Sequence, residues 1–241
     1  GTLRICLPET DRSDTIPQAD IPLQIEYEDE DFFVLHKPAG IAVHPSPQNR
    51  KNTIANGLAA RYAKCGQPFV FRPIGRLDKN TSGLIVLAKN ALSAGLLTTQ
   101  AAQKIMRHTY LAVCTGQLPE SGTIDAPIAR AKDSAIRRVV RADGDQAVTH
   151  YERLCTAQGY SLARVWLETG RTHQIRVHFA HIGHPLPGDF LYCPDFSHID
   201  RHALHAHTLT LQQPITGQSL SFTAPLPPDM QAFFPDYPFS L

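Results

Sequence analysis

Residues 84–115 read LIVLAKNALSAGLLTTQAAQKIMRHTYLAVCT, and the order of textures in this stretch decides the fold class. Leu84–Lys89 is a short apolar run closed by Asn90, which predicts a buried strand. Ala91–Gln103 is rich in good helix formers, and Tyr110–Thr115 returns to strand texture. Working outward, Leu23–Tyr27 and Phe32–His36 predict two short strands joined at the acidic Glu28–Asp31 turn. Lys37-Pro38-Ala39-Gly40 breaks the second, and Asn52 or Thr53 is placed to cap a helix running to Lys64 and ending at Gly66. Downstream strands are expected at Thr123–Ile128, Arg137–Arg141, Ala147–Leu154, Tyr160–Glu168, Leu204–Leu211 and Ser219–Thr223. His173–His181 has helical texture with Thr172 as its expected N-cap, and Pro228 opens a last short helix through Phe233. Many strands with short turns and few helices predict an α+β fold with a mixed, largely antiparallel sheet flanked by a few helices and loops.

A chain of 241 residues that is 42% hydrophobic buries a substantial core, and 19% charged residues argue against wholesale disorder. Residues 1–20 are polar and carry Pro8 and Pro17, so a tail or linker is expected there, with one globular domain over 21–241. No apolar run approaches the ~20 residues of a membrane span, and no secretory signal pattern opens the sequence. The five cysteines are scattered and form no C-x-x-C pair, which suits idle thiols in a reducing cytoplasm better than a disulfide framework or a zinc site. Net charge is only +1, but its distribution is uneven. Between 51 and 110 there are nine lysines and arginines, and the one acid is Asp78. Such a stretch attracts a polyanion, or is ordinary solvated surface; charge alone favours neither.

Phosphate-loop, dinucleotide, zinc-protease and serine-hydrolase signatures are absent from the sequence. Asp78–Gly83 imitates the start of a calcium loop, but Lys89 stands where the twelfth position needs a bidentate Glu, so calcium is rejected. His173, His178, His181 and His184 lie close together without an acid or cysteine at ligand spacing, and no metal is expected. Three segments remain. Pro73–Leu84 sets a lone carboxylate, Asp78, between Arg76 and Lys79 ahead of the buried strand. Thr169–His178 crowds Arg171, His173, Arg176 and His178 at a helix start, and Arg107–Val113 is a strand carrying Tyr110. Singly, each is as well explained by a turn, a basic helix face or a strand aromatic.

Together, Arg76-Leu77-Asp78-Lys79-Asn80-Thr81-Ser82-Gly83, the Tyr110 strand and Gly170-Arg171-Thr172-His173-Gln174-Ile175-Arg176-Val177-His178 resemble the RluA family of RNA pseudouridine synthases. Lys37–Pro45, His181–Pro185 with Gly188-Asp189, and the segments from Leu204 to Pro214 and Phe222 to Pro225 are similar to further blocks of that family, in the same order, over about residues 21–230. One departure is Gly75, where the family usually has His; altered loop detail is expected there, with activity kept. The family often carries a small N-terminal RNA-binding module, of which residues 1–20 would be a stump.

The resemblance implies a pseudouridine synthase fold and the isomerisation of uridine to pseudouridine, without cofactor or metal, in ribosomal RNA of the large subunit or next in tRNA. It implies Asp78 as the catalytic acid, Arg176 as its basic partner and Tyr110 as the aromatic against the target base. Arg76 would fill the space of a flipped uridine, and Arg171, His173 and Lys79 would contact RNA. A cytoplasmic monomer with RNA as its partner is the expectation. The alternative is an inert relative that binds RNA during ribosome assembly; a histidine-based metal hydrolase is the remaining rival.

Overall fold

The computed structural model describes residue 13, residues 16–47 and residues 49–239. Most of the expected 1–20 tail lies outside the described residues, while Ala19 N–H donates to Asn56 O and Asn56 Nδ2 to Pro17 O, seating that end on a helix. In chain order the elements are β1 (Gln24–Glu28), β2 (Phe32–Lys37), α1 (Ile54–Lys64), β3 (Arg72–Ile74), β4 (Ser82–Ala88), α2 (Ala91–Ala102), β5 (Arg107–Thr115) and β6 (Ser121–Asp125). They continue with β7 (Ile128–Arg130), β8 (Arg138–Val140), β9 (Val148–Ala157), β10 (Tyr160–Leu167), α3 (Gln174–His181), β11 (Leu204–Gln212), β12 (Ser219–Thr223) and α4 (Pro228–Gln231). The main sheet runs β1-β2-β4-β11-β5-β10-β9-β6, with β3 also on β4 and β12 on β11; β7 and β8 form a separate ribbon. β4 and β11 are parallel and the other pairings antiparallel, the mixed sheet expected.

β4 is buried at all seven positions because helices cover both faces of its sheet. Leu84, Val86 and Ala88 pack with Leu97 of α2, while Ile85 and Leu87 pack with Ile54 and Leu58 of α1. The alternation is the two-residue period of a strand, and each large side chain so buried contributes about 1.5–3 kcal/mol. The other half repeats the pattern: Ala112 and Cys114 of β5 face Ile175 and Phe179 of α3, and Leu111 and Val113 face Met230 of α4. Tyr110 packs against both halves, at the seam between them.

That seam is a fork. β4 pairs with β11 only at Ser82 and Gly83, and with β3 at Val86–Ala88, so the β3–β4 loop leaves the sheet between them. Gly83 permits the close approach: its φ is +110°, and a Cβ there would lie 2.1 Å from Ala206 O. Arg72–Ile74 adds a strand for which the sequence carries no strand signal, since Pro73 masks it; it pairs with β4 alone, as a proline-bearing edge strand does. Two local expectations need correction. Thr123–Ile128 is two strands, because Pro127 interrupts the run and Ile128 starts the ribbon with β8. The N-cap of α3 is His173 in the left-handed region (φ +59°), with no side-chain cap bond, and not Thr172. Gln174 takes over: its Oε1 accepts from Arg171 N–H and Thr169 Oγ1 at 2.9 and 2.8 Å, tying the turn to the helix start.

Candidate active site

Asp78 stands in the β3–β4 loop, where Thr81 N–H donates to Asp78 O at 3.1 Å and closes a turn. Beneath it, the wholly buried Lys37 at the end of β2 donates through Nζ to Pro38 O, Ile41 O and Lys79 O at 2.8–2.9 Å. Burial, then the charge of Arg201, pushes Lys37 down to about 7 against the pull of Asp78. Three carbonyl acceptors match the three hydrogens of an ammonium and pin the backbone next to Asp78. Thr81 Oγ1 meets Nε2 of the buried His202 at 2.8 Å, so the loop is held from two sides. Gly75, at φ +81°, starts the loop in a conformation that a side chain rarely adopts, although a Cβ would meet nothing within 4 Å.

Arg176, on the first turn of α3, reaches the carboxylate. Its Nη1 donates to Asp78 Oδ2 at 2.9 Å, and its Nε and Nη2 form a fork onto Asp189 at 2.6 and 2.7 Å. Asp189 is fully buried and also accepts from Leu191 N–H, and the guanidinium lies 5.2 Å from the Tyr192 ring centroid. One buried cation thus serves two carboxylates. Burial works against ionisation of Asp78, yet the neighbouring His173 and Arg176 outweigh it and hold its carboxyl below the ordinary range. His173 is itself pushed down to about 4, chiefly by burial, so at neutral pH Arg176 is the standing charge.

The left-handed turn at His173 aims its ring inward, with Nε2 3.8 Å from Asp78 Oδ2 and Nδ1 3.2 Å from the Tyr192 hydroxyl. Tyr110, on β5, lines the same pocket of about 80 Å³ as Asp78, Arg76, Arg171, His173 and Arg176. Burial, then the charge of Asp78, pushes its hydroxyl up to about 12, so it stays a proton donor at neutral pH. Arg76 is mostly exposed, its Nη2 4.0 Å from Asp78 Oδ1. Lys79 is exposed and does not line the pocket; its backbone carbonyl, bound by Lys37, is what joins it to the site.

Sequence reading missed Asp189, Lys37, His202 and Tyr192 as members of this arrangement. Gly188-Asp189 and Lys37-Pro38 stand in the blocks that carry the resemblance, but no spacing rule ties them to Asp78. The histidine cluster does other work. His178 is held between Thr149 Oγ1 and Ala126 O, and no group of three or more potential ligands able to hold a metal occurs among the described residues.

What the pocket can do is hold one ionised carboxylate beside a planar cation and an aromatic hydroxyl. Residues 31–181 match the family model described as RNA pseudouridylate synthase. An uncharacterized RNA pseudouridine synthase of Bacillus subtilis is 39% identical over 229 residues, covering 95% of this chain and 81% of that protein. Ribosomal large subunit pseudouridine synthase D of Nitrosomonas europaea is 39% identical over 240 residues, covering 96% and 70%. Among solved structures, human RNA pseudouridylate synthase domain containing 1 superposes with a TM-score of 0.71 at 25% identity, covering 90% of this chain and 89% of that one. The chain therefore belongs to the RluA family of RNA pseudouridine synthases, isomerases that act on uridine in RNA.

Proposed function

We propose that this enzyme isomerises specific uridines in structured RNA, large-subunit ribosomal RNA first and tRNA next, with Asp78 as its catalytic carboxylate. The observation that carries the reading is the Asp78–Arg176 pair at 2.9 Å inside a pocket walled by Tyr110. The relatives named as large-subunit synthases support the ribosomal substrate. In the reaction the ribose–N1 bond breaks, the uracil turns, and a ribose–C5 bond forms; N1 gains a proton and C5 loses one. An ionised carboxylate serves as nucleophile on ribose or on the uracil ring, or as base toward a ribose proton. Arg176 keeps it ionised in a partly dry site. Tyr110 stacks on the base and offers a proton.

Reaching the base requires extruding it from the helix, at a cost of a few kcal/mol. Arg76, beside the pocket mouth, fills the space vacated, while Arg171, His173 and Lys79 contact the backbone and pocket wall. A monomer acting in the cytoplasm, without cofactor, suffices for an isomerisation.

The test is a pseudouridine map of total RNA from cells with and without the gene, paired with Asp78→Asn. Loss of one or a few sites is expected, and the variant should lose at least ~10³-fold in rate with RNA affinity nearly unchanged. Full activity of Asp78→Asn would sink the assignment.

A further inference from the structure

A second cavity borders the reaction pocket and has no part in the chemistry above. It measures about 540 Å³, against about 80 Å³ for the Asp78 pocket, and the two share Arg76, Leu77, Tyr110, Leu167 and Gly170 as walls. A volume of that order is typical of a small-ligand site, within roughly 300–1,000 Å³. One wall carries Trp166, the only tryptophan of the chain, 41% exposed on β10. Its ring stacks on that of His150, its cross-strand partner on β9, with centroids 5.6 Å apart and planes 19° from parallel.

His150 is fixed in turn. Its Nδ1 meets Thr123 Oγ1 and its Nε2 meets Glu168 Oε1, each at 2.8 Å. A large aromatic is thus braced by a second ring and yet left open on a cavity wall. Lys104, Arg107 and Arg76 line the same cavity, and the one acid among its walls, Glu168, is already engaged by His150 and by Lys104 at 3.6 Å. A rigid aromatic face with cations around it is the construction that binds single-stranded nucleotides.

We propose that this cavity is a second nucleotide subsite: it takes the base of an unpaired nucleotide next to the target uridine, stacked on Trp166, with phosphates on Lys104 and Arg107. The proposal rests on the isomerase reading for its RNA. The subsite gives the target's neighbour a stacking partner when the helix is opened, so part of the lost stacking is restored on the protein and the neighbouring base contributes to site choice.

Because Trp166 is the chain's only tryptophan, its fluorescence reports the subsite directly. An unmodified transcript of bacterial large-subunit rRNA is the probe, and release of tritium from its C5-labelled uridines measures turnover. RNA is expected to quench Trp166, and Trp166→Ala to raise Kd and KM about tenfold, the scale of one lost base–aromatic stack, with kcat nearly unchanged. Trp166→Phe, which keeps an aromatic face, should recover most of the affinity and guards against a folding defect in the alanine variant. Absence of quenching, or a Kd unmoved in Trp166→Ala, overturns the subsite even if the wild type turns over. If the wild type releases no tritium while quenching and the rise in Kd persist, the subsite stands and the isomerase reading falls.

Discussion

Two arginines approach the same carboxylate and are built in opposite ways. Arg176 has 2% of its side chain exposed and commits three nitrogens to Asp78 and Asp189, with Tyr192 and Phe190 against its plane. Arg76 is 64% exposed and comes no closer to Asp78 than 4.0 Å. A buried cation is costly unless every donor is matched, so the fold surrounds Arg176 with partners and it cannot leave. An exposed one gains little from its ion pair and keeps its rotamer freedom, which leaves Arg76 available for a ligand. The first belongs to the folded state as much as to the chemistry, whereas the second is spare until RNA arrives.

The largest expected effect therefore falls on the inner arginine. Arg176→Ala strands the buried carboxylate of Asp189 and withdraws the cation from Asp78. Breaking such a buried pair from one side should cost about 3–5 kcal/mol, visible as a lower urea midpoint, together with loss of tritium release. Stability within 1 kcal/mol of wild type would show that Asp78 and Asp189 find other partners and would dissolve the contrast.

How far the sequence foretold this arrangement depended on whether a residue acts through local pattern or through distance. β4 was legible because seven successive buried residues leave an apolar run, and α1 because Thr53 caps it as its position predicts, its side chain accepting from Asn56 N–H. Asp78 stood out as the one acid in a basic stretch. Asp189 did not, since a carboxylate thirteen residues after Arg176 in a loop has no periodic relation to it, and only the fold brings them to 2.6 Å. Lys37 was hidden for the same reason: its carbonyl at residue 79 is 42 positions away. The cap of α3 went unread because a left-handed histidine is uncommon and leaves no compositional trace.

A middle-sized effect concerns pH and sharpens the contrast by loading the buried side alone. His202 and His205 are almost wholly buried, and burial pushes each down to about 3; for His202 the charge of Arg176 adds to it. His205 Nε2–H donates to Ala224 O, so its Nδ1 accepts from Ser82 Oγ–H, an arrangement that only the neutral ring satisfies. Below pH 6.5 the unfolded chain binds protons that these native imidazoles refuse. Stability is then complete above about 6.5 and drains as pH falls toward 3, by up to ~1.4 kcal/mol per pH unit for each histidine. The carboxyl of Asp78, held below its ordinary value, adds to the same direction only at the acid end. Urea titrations at pH 7.5, 6.5 and 5.5 check this; a flat profile would mean that both rings accept protons without strain.

The smallest effect on the fold, and the sharpest for function, is at the outer arginine. Arg76→Ala removes a mostly solvated side chain whose nearest charge is 4.0 Å away, so stability should stay within ~0.5 kcal/mol. If the side chain takes the place of the extruded base, it contributes in the RNA-bound state and not in the free enzyme. Its loss should then reduce kcat/KM about tenfold or more, the scale of a hydrogen bond to a charged group lost on binding. Arg76→Lys keeps the charge but not the plane that stacks and forks, and should recover little if shape is what matters. Full recovery by lysine would reduce Arg76 to a phosphate contact, and its loss would then weaken with rising salt as phosphate contacts do. Persistence of the defect in high salt separates a side chain that stands in for a base from one that only lends its charge.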